Sequence, residues 1–183
     1  MKFRLLALAL GGLWVMGLWA YSNVEIRFDA ARVATTLVAD QRGTAREAIK
    51  AGLERFDGPL DIAVNDFTDA PLQLVLIRLS SARSVRLLLG RGGSDPEAET
   101  TLCQQLNQLF EVRFVENLGH HFAVVGGSSV VSSSLDWTRE ALNNSTQAVM
   151  EIESADVASA YEAQFESLWK NGSSSCDDRL ALP

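Results

Sequence analysis

Histidine, cysteine and proline are all scarce in this chain, and each scarcity excludes something. There are two histidines, adjacent at 120 and 121, and two cysteines, at 103 and 176. They offer no CxxC pair and no Cys/His spacing of a structural metal site, so no metal and no cofactor is expected. Only 4 of 183 residues are proline while 47% are hydrophobic, which excludes a disordered chain. Positive charge is also short, with 16 Lys+Arg against 23 Asp+Glu and a formal net of -7. A surface of that sign repels phosphate backbones, so nucleic acid is not expected as a partner. A single long uncharged apolar run excludes a polytopic membrane protein. What is left suits one globular domain, commonly about 100–200 residues, with a terminal extension.

The extension is the N-terminus. Lys2 and Arg4 precede the uncharged run Leu5–Ala20, as in an export signal or a signal anchor. Ala20 suits the position before a cleavage site, but Leu18 is a poor residue two places further back. As a helix the run would rise about 24 Å, slightly less than the ~30 Å hydrocarbon core. Trp14, Trp19 and Tyr21 suit an aromatic belt at its outer end, and the basic head predicts that end in the cytoplasm. The expectation is an uncleaved membrane anchor over residues 1–22, with the domain on the periplasmic or extracytoplasmic side. A cleaved signal and a secreted domain is the alternative. Without the first 20 residues the balance is 14 basic against 23 acidic, a net of -9. Export permits a disulfide between Cys103 and Cys176; the other reading makes Cys103 a core residue and Cys176 a free thiol in the tail.

Beyond Ser22 strands and helices alternate. VEIRF (24–28) reads as a strand. Thr44 and Glu47 form a capping box before a helix whose stripe is Ala45, Ala48, Ile49, Leu53 and Phe56. Asp57-Gly58-Pro59 stops it, and Leu60, Ile62 and Val64 alternate along a strand. Asp69 caps the next helix, with Pro71 in its first turn. Apolar residues from Leu72 to Leu79 cover more than one side of that helix, so it is expected to be well buried. A strand over 84–90 leads to a second capping box, Ser94 and Glu97, and a stripe of Leu102, Leu106, Leu109 and Phe110. Strands are expected over 111–115, 121–125, 129–133 and 146–152, with Gly126-Gly127-Ser128 as a hairpin turn. The serines before Asp136 read as a turn and a cap for a helix from Trp137 onward. A last helix spans 155–170, and 171–183 is a mobile tail. The domain proper is 23–170, with Ile62, Val64, Leu76, Leu87, Leu106, Val124, Phe165 and Trp169 in its core. This is an α/β layer fold, a mixed sheet flanked by helices.

Four segments carry a resemblance to a known family. HFAVVGG (121–127) and SSLDWT (133–138) stand at the separation of the motif H-x-K-x4-D-x6-G-S-x-N that forms the second half of that family's domain. DIAVNDFTD (61–69) and SVRLLLGRG (84–92) resemble the strands that precede it. The chain thus resembles the phospholipase D superfamily, in particular its small single-motif endonuclease and cardiolipin hydrolase-like members. The resemblance spans roughly residues 24–170 and implies that superfamily's fold. It implies a histidine that attacks phosphorus, a second histidine that protonates the leaving group, and lysine and asparagine holding phosphate oxygens. The aspartate would orient a histidine. In the ungapped register Gly119 stands at the nucleophile, His121 at the lysine, Gly126 at the aspartate and Ser133 at the glycine. Ser134 keeps the serine, and Asp136 replaces the asparagine.

A degenerate motif on an intact framework points to a non-catalytic accessory or binding subunit of a membrane-associated complex, with no catalytic residue expected. Partners would be the membrane, through the N-terminal helix, and a protein partner or a second copy. The alternative is a phosphodiesterase, acting as a homodimer, in which a one-residue slip brings His120 or His121 to the nucleophile position beside Ser134 and Asp136. Two adjacent strand residues point to opposite faces, so the histidines are not expected to chelate a metal together.

Overall fold

The computed structural model describes residues 32–38, 44–91, 96–116, 118–144 and 147–174. In chain order the elements are β1 (Arg32–Val38), α1 (Thr44–Arg55), β2 (Leu60–Val64), α2 (Ala70–Ser80), β3 (Val85–Gly90) and α3 (Pro96–Leu106). They continue as β4 (Glu111–Val115), β5 (His121–Val125), β6 (Ser129–Ser133), α4 (Arg139–Asn144), β7 (Gln147–Glu153) and α5 (Ala155–Asn171). The strands form one mixed sheet in the order β1-β7-β6-β5-β2-β3-β4. β2, β3 and β4 run parallel, joined by helical crossovers. β5 lies antiparallel to β2, and β6, β7 and β1 continue antiparallel from it.

Period-two alternation sorts each strand between two hydrophobic layers. Leu60, Ile62 and Val64 of β2 face one layer, with Ile49 and Leu53 of α1, Leu72 and Leu76 of α2, Leu106 of α3 and Leu142 of α4. Ala63 and Leu88 face the other, which α5 covers with Val157, Phe165 and Trp169. All eight expected core residues are buried.

One cation holds α5 in place. Arg86 of β3 makes two 2.7 Å hydrogen bonds to the buried Asp61 opposite it on β2, and reaches Glu166 of α5 at 2.7 Å. Its guanidinium also lies 4.9 Å from the centre of the Phe165 ring and 5.3 Å from that of Trp169. These bonds to Asp61 and Glu166 more than offset burial and raise the Arg86 pKa further, so the charge is permanent.

Local signals behave as expected in most places. The Asp69 side chain accepts from Leu72 N and caps α2, with Pro71 in the first turn. Gly126 and Gly127, at φ 58° and 64°, take left-handed conformations that close the β5–β6 hairpin, where Ser128 N donates to Val125 O. Three expectations are corrected. Leu74 is 66% exposed, so α2 buries one stripe rather than several sides. α3 ends at Leu106, which leaves Leu109 past the helix and half-exposed. The cap of α4 is Thr138, whose Oγ1 accepts from Ala141 N, and not a serine. Cys103 is buried and disulfide-bonded. The expected membrane helix, the strand at 24–28, Ser94 and Cys176 lie outside the described residues. No helix among the described residues is long and apolar enough to cross a membrane.

Candidate functional site

The parallel strands β2 and β3 end where β5 begins and β6 finishes, a strand-end crevice of the kind where open α/β sheets place their ligands. His121, the first residue of β5, pairs with Ser133 at the end of β6, and its neighbour Phe122 pairs with Ala63 of β2. The ring of His121 lies on the side of the sheet packed by α1–α4, as do Ala123 and Val125 along the same strand. There its Nε2 is 3.0 Å from Asn65 Nδ2 and 3.2 Å from Asp136 Oδ1. Asp136 Oδ1 also accepts from the backbone N–H of Asp66 at 3.2 Å. A side chain on Gly90, at the end of β3, would collide with Asn65, so this glycine makes room for the amide.

One nitrogen of His121 thus faces an amide and a carboxylate together. Protonated, Nε2 donates to Asp136, and the Asn65 amide turns its oxygen toward the ring. Unprotonated, Nε2 accepts from the Asn65 amide with its lone pair already used. The other nitrogen, Nδ1, is buried and has no partner. A nucleophilic imidazole needs one nitrogen with a free lone pair open to the substrate. His121 as arranged has neither nitrogen in that state. Its residue exposure of 9% leaves little of the ring for a ligand to reach.

His120 points the other way. Its ring packs 5.1 Å from Phe122 and 5.6 Å, edge to face, from Tyr161 of α5. Burial first, and then the neighbouring His121, lower its pKa, so the imidazole favours its neutral form. The two histidines therefore occupy different layers of the molecule, as strand alternation requires. No group of three or more metal-ligating side chains forms among the described residues.

The remaining motif positions fare differently. Gly119 is exposed, and a side chain there would meet nothing within 4 Å. Ser134 is exposed, and its hydroxyl accepts from Ala148 N, which ties the end of β6 to the start of β7. Ser133 accepts from the Trp137 indole and donates to the carbonyl of Leu135. Gly126 lies at the opposite end of β5 from His121, about 16 Å away along a strand of this rise. A side chain at 126 would not reach the His121 imidazole of the same chain. The loss of an aspartate there removes nothing from this crevice. The chain's three lysines are Lys2, Lys50 and Lys170. Lys50 lies on α1 and Lys170 in the last turn of α5, so neither replaces the motif lysine.

Two polar groups meet functional positions without belonging to any motif. Asn65 follows a buried strand inside an apolar run, and its proximity to the C-terminal end of β2 was the available signal. Arg46 of α1 chelates the fully buried Asp69, with Nε at 2.9 and 3.0 Å from its two oxygens and Nη2 at 2.6 Å. In the sequence Asp69 shows only as a cap, because a partner 23 residues upstream leaves no local trace.

Residues 57–169 match the family model described as "Cardiolipin synthase, PLD-like domain". The mitochondrial cardiolipin hydrolase of Canis lupus familiaris is 29% identical over 116 residues, covering 55% of this chain and 46% of that protein. The Xenopus laevis protein of the same name is 35% identical over 51 residues, or 28% of this chain and 24% of that one. This chain thus spans less than half the length of these relatives. Among solved structures, the phospholipase D family member Nuc from Salmonella typhimurium superposes with a TM-score of 0.70 at 14% identity, over 79% of this chain and 98% of that one. NucT from Helicobacter pylori superposes with a TM-score of 0.68 at 11% identity, over 79% and 99%. Likeness at such identities speaks for the fold alone.

Proposed function

Because the chain belongs to the phospholipase D-like domain family, we propose that it is a non-catalytic member of it, an accessory or binding module held at a membrane by its N-terminal segment. The observation that carries this reading is the contact between His121 and Asp136. These residues stand where the family motif has the lysine and asparagine that hold phosphate oxygens. Here Nε2 of the one lies 3.2 Å from Oδ1 of the other, and the carboxylate adds negative charge where a phosphate would rest. Phosphoryl transfer depends on donors aimed at developing charge, and losing one commonly costs about 100- to 1,000-fold. The chain has lost the lysine, the asparagine and the histidine of the nucleophile position together. Framework, caps and apolar layers are meanwhile mutually consistent, as expected of a domain kept for its shape or its contacts. Such a module, anchored beside a membrane complex, gains affinity from effective concentration and needs no large interface.

The phosphodiesterase reading keeps one observation in its favour. His121 stands at the strand-end crevice with a carboxylate 3.2 Å from its ring, the placement of a base and its orienting partner. The test is to incubate the full chain with cardiolipin vesicles and, separately, with an activated phosphodiester, beside His121→Gln and His120→Ala/His121→Ala variants. Rates equal to the variants' background are expected. Turnover that disappears in His121→Gln would replace the accessory reading with catalysis by a homodimer or monomer.

A further inference from the structure

A cavity of about 330 Å³ lies between α1, the segment that leads into α2, and α4. Arg46, Thr68, Asp69, Arg139 and Asn143 supply its polar lining. It is separate from the His121 crevice, although the two share their connecting loops. Trp137 N donates to Asp66 O, and Thr68 N and Asp69 N both donate to Trp137 O, which fixes the two walls against each other.

The charges in this cavity are unequal in what they have left to offer. Asp69 Oδ1 accepts from Arg46 Nε and Leu72 N, and Oδ2 from Arg46 Nε and Nη2. Its carboxylate is therefore fully used within the fold. Asn143 is used as well, with Oδ1 accepting from Arg46 Nη2 at 3.3 Å and Nδ2 donating to Arg139 O at 2.8 Å. Arg139 differs. Every other arginine with a described side chain holds a carboxylate or a backbone carbonyl. The Arg139 guanidinium holds neither among the described residues. In a chain with a formal net charge of -7, an unmatched arginine beside a cavity is a local reversal of sign. Counting Arg46, Asp69 and Arg139, the lining carries a formal charge of +1, with the exposed Glu140 as the nearest acid in sequence.

We propose that this cavity binds a single oxyanion group, with Arg139 as its contacting cation and Thr68 as a hydroxyl donor. A guanidinium fork suits a carboxylate or a phosphate equally in charge and geometry. Taking about 30 Å³ per water, the cavity holds roughly eleven waters, which leaves room for an oxyanion carrying a small substituent. The paired Arg46 and Asp69 act as the rigid floor that keeps the cavity open. The inference does not depend on whether His121 is inert.

The test is to titrate the ¹⁵N-labelled full chain in micelles with sodium phosphate and, in a second arm, with sodium acetate, both at constant ionic strength. The Arg139 side-chain Nε–H and the Thr68 amide are followed by NMR. Saturable shifts at both positions are expected, about tenfold weaker in affinity in Arg139→Gln. They should be unchanged in Arg78→Gln, an exposed arginine outside the cavity. Saturation by phosphate alone assigns the site to a phosphorylated group, and saturation by acetate alone to a carboxylate. Absence of saturation in both arms, or equal affinity in Arg139→Gln, would overturn the proposal.

Discussion

Arg86 and His121 each set a cation-forming side chain against a carboxylate, and the two places differ in almost everything else. Beneath α5, Arg86 grips the buried Asp61 with two 2.7 Å bonds, reaches Glu166 and lies against two aromatic rings. At the strand-end crevice, His121 meets Asp136 through one 3.2 Å contact, and Asp136 is 41% exposed. In the first, every strong donor and acceptor is matched, so removing one partner strands a buried charge. The second is a single contact at the rim, with one imidazole nitrogen left buried and unmatched. The first arrangement holds the fold together. The second carries the chemical identity of the site and little stability.

The largest effect should come from the first place. Arg86→Ala leaves Asp61 buried without its partner and is expected to cost about 3–5 kcal/mol in urea denaturation. A loss near zero would mean that water reaches Asp61 and that α5 is held by apolar contact alone. Leu76→Ala, in the layer on the other face of the sheet, is expected to cost about 2–5 kcal/mol. Comparing the two measures how far Arg86 matters beyond ordinary packing.

The two ends of β5 extend the contrast. Gly126→Ala forces a side chain into the left-handed region against the carbonyl of Asp57 and should cost more than about 1 kcal/mol. Gly119→Ala enters open space and should change thermal stability by less than about 0.5 kcal/mol. If the two variants unfold alike, the hairpin has a different geometry from the one described. Asp136→Asn should cost about 1 kcal/mol at most, because the pair it breaks is single and half exposed. A larger loss would make the His121 pair a structural element in its own right.

The smallest effect concerns pH. His120 has a lowered pKa in the fold, so below its ordinary value of about 6.5 the unfolded chain takes up the proton first. The stability associated with the neutral ring is therefore complete above that value and declines as pH falls through the window down to the folded pKa. His120→Phe should flatten the stability profile there, measured as denaturation midpoints across acid pH. An unchanged slope would assign the acid sensitivity to other groups.

Much of the architecture was legible because its cues are local. Thr44–Arg55 and Ala155–Asn171 show helical stripes, Leu60–Val64 alternates, and paired glycines demand a turn. Even the divergence of His120 and His121 followed from the pleat. The exposure of Leu74 is not legible there, because apolar content along α2 does not say how many faces find a neighbour. β1 leaves little local signal, because RVATTLV (32–38) alternates weakly and is fixed by pairing with β7, more than a hundred residues later.

By itself, then, the sequence determined the periods of its elements, the caps and the turn, and through them which residues of each element share a face. Those are decided within a few residues by backbone sterics and the burial of apolar stripes. Only the tertiary structure decided which polar groups meet. Asn65 finds His121 across 56 positions, and Arg46 finds Asn143 across 97. The order and register of the strands bring such partners within hydrogen-bond range, and no local period encodes that order. The same cause separates the His121 crevice from the Arg139 cavity, although Asp136 and Arg139 are three residues apart. The turn at Trp137, pinned to Asp66 and Asp69, separates the two side chains.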